Sequence, residues 1–165
     1  MTDSERTQSP LFGPNRDIRT VLMDPPWDAE SGGGRIKRGA DRHYPLMKPR
    51  RIASVIQQEC PAWQRLADTA HVWIWTTNTT VVNGDALRLA QLLGVRPITQ
   101  FTWVKRTQDG NIARGLGQYS YGSTEHLWLC RRGDTMKPEP GHRHRTAFDA
   151  PVGEHSRKPE KSYRI

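Results

Sequence analysis

Residues 24–27 read Asp-Pro-Pro-Trp, directly after the short apolar run Ile18–Met23. Together these four side chains suit a reaction at the exocyclic amine of a nucleobase. Such an amine is a poor nucleophile because its lone pair is delocalised into the ring. It needs acceptors that orient both N–H groups and let the nitrogen become tetrahedral, rather than a strong base. The Asp24 carboxylate supplies one acceptor. The Pro25 carbonyl supplies another, since proline keeps its C=O while lacking an N–H. Consecutive prolines fix the direction of that carbonyl at small entropic cost. Trp27 offers a flat surface on which a base can stack, worth about 1–3 kcal/mol. A base within a duplex would first have to be flipped out. Singly, each residue has a plainer role, because Pro-Pro ends a strand and Asp caps a turn. All four in order after an apolar strand favour a reaction site.

Other residues with chemical potential weigh less. In the stretch SGGGRIKR, Arg35, Lys37 and Arg38 suit phosphate or nucleic acid, with a solvated loop as the equal alternative. Tyr44 and Met47 are candidates to line the target pocket. The stretch GLGQYSYG lacks the strand-to-helix setting of a dinucleotide fingerprint. No metal site is expected, since His142 and His144 fit no common zinc spacing and no cysteine pair supports them. Glu125 and His126 are adjacent, but amine chemistry needs no general base, so a structural hydrogen bond is the expectation. Trp73, Trp75, Trp103 and Trp128 fall on predicted strands and belong to the core.

The elements that must hold these residues follow from periodicity. Ile18–Met23 predicts a buried strand stopped by Pro25 and Pro26. A long glycine-rich loop follows. Ile52, Val55, Ile56, Trp63 and Leu66 share one helical face, which Pro61 divides into two helices. AHVWIWTT is continuously apolar, as in a strand covered on both faces. NGDALRLAQLLGV is a helix with Leu87, Leu89, Ala90, Leu92 and Leu93 inward and Gly94 as its stop. PITQFTWVK and TEHLWLCRR are strands joined by a glycine-bearing loop without a clear helix, so they are candidates for antiparallel pairing. Residues 133–159 read mostly as loop, and PEKSYRI as the first turns of a helix. The alternation predicts an α/β fold with a mostly parallel sheet, in which ligands bind beyond the carboxyl ends of the strands.

A chain of 165 residues is one domain by size and can bury a core without disulfides. Twenty-five Lys and Arg oppose 17 Asp and Glu, a formal charge of +8. That excess favours a polyanionic partner, chiefly nucleic acid, over a basic enzyme with none. Cys60 and Cys130 form no CxxC pair and no secretory segment precedes them, so a reduced, cytoplasmic setting is expected. No apolar run approaches the length of a membrane span. Residues 1–15 are expected to be a poorly ordered tail, and 16–165 the domain.

These motifs resemble the adenine-N6 methyltransferases that include the catalytic subunit of the messenger-RNA methylation complex and its bacterial and phage relatives. DPPW is matched at Asp24, Pro25, Pro26 and Trp27, and the Tyr-x-x-Met segment at Tyr44 and Met47. The apolar strand ends near Thr77 and Asn78, and the Gly and Trp-x-Lys pattern falls at Gly94, Trp103 and Lys105. Glu125-His126 and the segment HSRKPEKSY complete the order. The resemblance spans residues 18–165. It implies a Rossmann-like fold with permuted motif order, S-adenosyl-L-methionine (AdoMet) as cofactor, and a methyl group passed to adenine N6 in nucleic acid, DNA before RNA. It places Asp24–Trp27 at the target amine, Asp24 near the methionine end of AdoMet and Lys158 at the AdoMet carboxylate. Lysine suits that task as a point charge. Homodimers and heterodimers are both compatible with it. Relatives continue into a further cofactor-binding strand where this chain stops at Ile165. The expectation is therefore a domain incomplete at its C-terminal end, a fragment before a degenerate relative or a domain that a partner completes. The alternatives are a non-catalytic nucleic-acid-binding relative, or methylation of cytosine N4.

Overall fold

The computed structural model describes residues 17–28, 45–115, 119–134, 136–154 and 157–165. Arg35, Lys37, Arg38 and Tyr44 lie outside them, as does the N-terminal tail. The described residues form five strands: β1 (Ile18–Met23), β2 (Leu66–Thr76), β3 (Arg96–Arg106), β4 (Thr124–Arg132) and β5 (Ala147–Pro151). The helices are α1 (Pro49–Glu59), α2 (Pro61–Gln64), α3 (Asn78–Val82) and α4 (Asp85–Leu92), and a 3-10 turn covers Glu160–Arg164.

The strands build one sheet in the order β1-β2-β4-β3-β5. β1 runs parallel to β2 and β3 parallel to β5, whereas β4 pairs antiparallel with both β2 and β3. The α/β class is as read from the sequence, but the sheet is mixed rather than mostly parallel. β4 follows β3 through residues 107–123, which hold no helix among the described residues to cross over the sheet, and the two strands pair antiparallel. The consequence is functional. The carboxyl ends of β1, β2, β3 and β5 and the start of β4 all meet at one edge.

Pleating splits the core into two faces. Val72 and Ile74 of β2 and Cys130 of β4 face the helices, where Ile52, Ala53, Trp63, Ala86, Leu89 and Ala90 cover them. Trp75, Phe101, Trp103, Leu127 and Phe148 form the second face. There Trp75 meets Trp103 edge-on, with ring centroids 6.2 Å apart. Burial pushes the Cys130 thiol up to about 12, so it packs as a small apolar group.

Several expectations are corrected. β1 is an edge strand in which no residue is fully buried, because β2 is its only partner among the described residues. Leu87 and Leu92 point outward, at 46 % and 38 % exposure, and Ala86 takes the inward place beside Leu89, Ala90 and Leu93. Leu66 opens β2 instead of closing a helix. β5 lies inside the supposed loop, and the terminal helical turns are 3-10. Pro61 does divide α1 from α2, and Gly94 ends the α4 region at φ 67°, the left-handed conformation that favours glycine.

Candidate active site

Beyond β1 the two prolines cannot continue the ladder, and the backbone turns at once. The Trp27 N–H donates to Pro25 O (2.9 Å), the Met47 N–H to Pro26 O (2.8 Å) and the Asp28 N–H to Met47 O (3.0 Å). Met47 thereby clamps the motif to the segment that starts α1. Trp27 is only 9 % exposed, and its indole Nε1 donates to Trp75 O at 2.8 Å. It is therefore a fixed wall of the pocket rather than an open stacking platform. The Pro25 carbonyl already accepts one hydrogen bond, which leaves a single lone pair for a substrate amine.

A pocket of about 310 Å³ opens over this turn, lined among others by Asp24, Pro25, Trp27, Trp75, Trp103, Lys105, Glu125 and Lys158. The chain thus brings Asp24, Pro25, Trp27 and Lys158 to one pocket, whereas Pro26 and Met47 are not among its lining residues. Met47 supports this wall through its backbone, packed against the helix-side core. A second hollow, beside α4 between Asn83 and Leu92, holds none of these residues.

The pocket floor is a row of alternating charges. Lys158 Nζ lies 2.9 Å from Asp24 Oδ2 and 3.0 Å from Glu125 Oε2, and Lys105 Nζ lies 2.7 Å from Glu125 Oε1. Both ammonium groups also sit over indoles, Lys158 at 5.2 Å from the Trp75 ring centre and Lys105 at 5.4 Å from that of Trp103. Lys158 is delivered by the chain leaving β5. The Val152 N–H donates to Arg106 O, and Ser162 closes the following turn onto Pro159 O through its hydroxyl at 2.6 Å. Lys105 and Glu125 meet because antiparallel β3 and β4 place Trp103 opposite Glu125.

The two carboxylates differ in environment. Asp24 keeps 41 % of its side-chain surface open toward the pocket. The protein mass behind it raises its pKa above the ordinary value despite the attraction of Lys158, and the Glu125 charge adds to the rise. Burial alone would raise Glu125 too, but Lys158 and Lys105 outweigh it and hold that carboxyl below its ordinary value. For Lys158, burial works downward, and Glu125 and then Asp24 overcome it and raise the pKa. His126 turns to the opposite face. Its Nε2 meets Asn78 Oδ1 at 2.7 Å and its Nδ1 meets Thr102 Oγ1 at 3.1 Å, so both ring nitrogens are in structural hydrogen bonds. Burial lowers its pKa, against the pull of Glu125. The sequence reading matched Lys105 and Glu125 to motifs but gave neither a place in the site. The signal that could have found them is a charged residue at the same end of each of two strands proposed to pair.

A family model described as MT-A70 matches residues 18–165. The chain belongs to the MT-A70 family. This is the family of adenine-N6 methyltransferases that includes the messenger-RNA methyltransferase catalytic subunit, and its members use AdoMet. No curated protein matches the chain. The donor set fits the amino-acid end of an MT-A70 cofactor: Lys158 and Arg157 can meet a carboxylate, while Asp24 and Glu154 can meet an ammonium group. Trp75 also lines the pocket, and its Nε1 is buried with no hydrogen-bond partner among the described residues. Among the described residues no cluster of three or more His, Cys, Asp or Glu is arranged for a metal, and no helix is long and apolar enough to cross a membrane.

Proposed function

We propose that the protein is an AdoMet-dependent methyltransferase acting on adenine N6 in nucleic acid, DNA in preference to RNA, on a Rossmann-like scaffold with permuted motif order. The observation that carries this is the Asp24 carboxylate. It opens into an aromatic-walled pocket at the carboxyl edge of the sheet, beside the fixed Pro25 carbonyl and within 2.9 Å of Lys158. The formal charge of +8 supports a polyanionic substrate.

In this reading Asp24 and Pro25 accept the two N–H bonds of the target amine and leave its lone pair directed at the incoming methyl. AdoMet, when bound, would supply that methyl from its sulfonium, with the neutral thioether as the leaving group. Lys158 would hold the cofactor carboxylate. The surplus amine proton leaves through Asp24, whose raised pKa suits it to carry one. Trp27, Trp75 and Trp103 exclude water and keep the reacting groups oriented, and orientation supplies most of the rate.

The test is incorporation of labelled methyl from AdoMet into adenine of DNA and RNA substrates. Asp24→Ala should abolish incorporation and leave the far-UV circular dichroism unchanged. No incorporation into either polymer by the native chain would sink the proposal. One observation favours a non-catalytic nucleic-acid-binding relative instead: Lys158 already spends its charge on Asp24 and Glu125. Calorimetric titration with AdoMet separates the two, since only the enzyme takes up the cofactor.

A further inference from the structure

Between β3 and β4 the chain leaves the sheet at Arg106 and returns at Thr124, on the edge that carries the pocket. The base of this excursion is firmly stitched. The Lys105 N–H donates to Ser123 O (2.9 Å), the Ala113 N–H to Lys105 O (2.8 Å) and Gln108 Nε2 to Val152 O (3.2 Å). Its two limbs then touch at a pair of glycines. A Cβ on Gly115 would stand 2.4 Å from Gly122 O, so only hydrogen fits there. Past this neck Tyr119 is fully exposed and Tyr121 is 63 % exposed. The Arg114 guanidinium lies 5.4 Å from the Tyr121 ring centre.

Large rings held in water on a closed neck contribute nothing to the core. A planar ring suits the π-face of any nucleobase, and an arginine pressed on such a ring can both stack and neutralise a phosphate. The formal charge of +8 favours a polyanion over an acidic-poor protein surface as the occupant. Tyr121 stands four residues from Glu125 in the pocket wall, at most about 14 Å along extended chain. That is close enough for one strand to touch both.

We propose that Arg114, Tyr119 and Tyr121 form a stacking clamp for unpaired nucleotides adjoining the base in the pocket. The identity of the pocket's occupant rests on the methyltransferase reading, but the clamp recognises single strands whatever base they carry. The glycine neck prepays part of its ordering, since the limbs are already joined before a strand arrives.

The experiment is fluorescence anisotropy of the full chain with a labelled oligo-dT, which contains no adenine, and with an adenine-containing strand of equal length. The expected result is binding of both strands by the native chain. The double variant Tyr119→Ala/Tyr121→Ala should lose about tenfold or more in affinity for both, and the double Phe variant should keep it. Arg114→Ala should flatten the slope of log K against log salt by about 0.7. The clamp is overturned if the native chain ignores oligo-dT. It is equally overturned if the double Ala variant, with unchanged circular dichroism, binds both strands as the native chain does. A change of mass in light scattering with unchanged oligonucleotide affinity would assign the rings to a protein contact and also overturn it. Loop-dependent binding of oligo-dT without any methyl transfer would instead remove the methyltransferase reading and leave the clamp standing.

Discussion

Glu125 joins two lysines in the pocket floor, and replacing it with glutamine isolates the value of its charge. Gln keeps the shape and one acceptor for Lys105. At an effective dielectric of about 20, Coulomb's law gives roughly 6 kcal/mol of gross attraction for the 2.7 Å contact to Lys105 and roughly 5.5 kcal/mol for the 3.0 Å contact to Lys158. Most of this is offset by desolvation. The side chains of Lys158, Glu125 and Lys105 are 12 %, 20 % and 20 % exposed. What remains is the cost of removing one charge from a largely buried network. That falls at about 3 kcal/mol, the low end for such networks, because Lys158 keeps Asp24 and both lysines keep an indole face.

The assay is urea unfolding followed by tryptophan fluorescence, with native and Glu125→Gln chains compared at about pH 7 and then at falling pH. Glu125 has a folded-state pKa below its unfolded one. Its contribution is therefore complete above the unfolded value and lost as pH falls through the folded value. The stability gap between the two chains should close on acidification over that interval. Asp24, with its raised pKa, works in the opposite sense: its penalty is present above the folded value and relieved as the proton returns. Glu125→Gln also removes a charge that adds to the Asp24 rise, so a smaller Asp24 penalty in the variant narrows the gap above the carboxylate range. A gap under about 0.5 kcal/mol at neutral pH, or one that persists below the carboxylate range, would refute the assignment of Glu125 as the charged hub.

Three further outcomes follow from the same geometry. Trp27→Phe keeps a ring in the wall but strands the buried Trp75 carbonyl, so calorimetry should show a loss of roughly 1–2 kcal/mol. Gly133→Ala should cost more than about 1 kcal/mol in urea unfolding, because φ is +63° and the new Cβ would stand 2.1 Å from the Asp68 carbonyl oxygen. Lys158 has a raised folded pKa, so its contribution is complete below the ordinary lysine value and lost as pH rises through the folded one. Native and Lys158→Met chains should therefore converge in stability only at strongly alkaline pH.

Local chemistry made part of this molecule legible in its sequence. Asp24 to Trp27 announced a strand end and a set of acceptors, and Pro61 and Gly94 marked helix limits, because prolines and left-handed glycines act through their own backbone. β5 was not legible. It is a five-residue edge strand in which Phe148 is the one buried side chain, so no period of two stands out. The outward turn of Leu87 and Leu92 was hidden for another reason: five apolar residues within α4 and its end exceed one helical face, and only packing against α1 decides which of them turn inward. The Lys105–Glu125–Lys158 row depends on strand register and on a segment arriving from β5, which are tertiary facts. Even Trp27 changes meaning once its Nε1 is found on β2.

The two pocket carboxylates share one lysine, yet their surroundings divide the labour between them. Glu125 is held on both oxygens by ammonium groups, largely closed to water and depressed in pKa, so it stays ionised and serves as an anchor for Lys105 and Lys158. Asp24 is held on one oxygen only, open to the pocket and raised in pKa, so it is the group able to exchange a partner or a proton. A pair of acids pushed apart in this way assigns its own roles. In the proposed reaction the anchor would keep Lys158 charged and in place as Asp24 turned to a substrate amine. Without Glu125, each withdrawal of Asp24 would leave Lys158 with the Trp75 face but neither carboxylate of the pocket floor, at a cost comparable to the attraction it gave up.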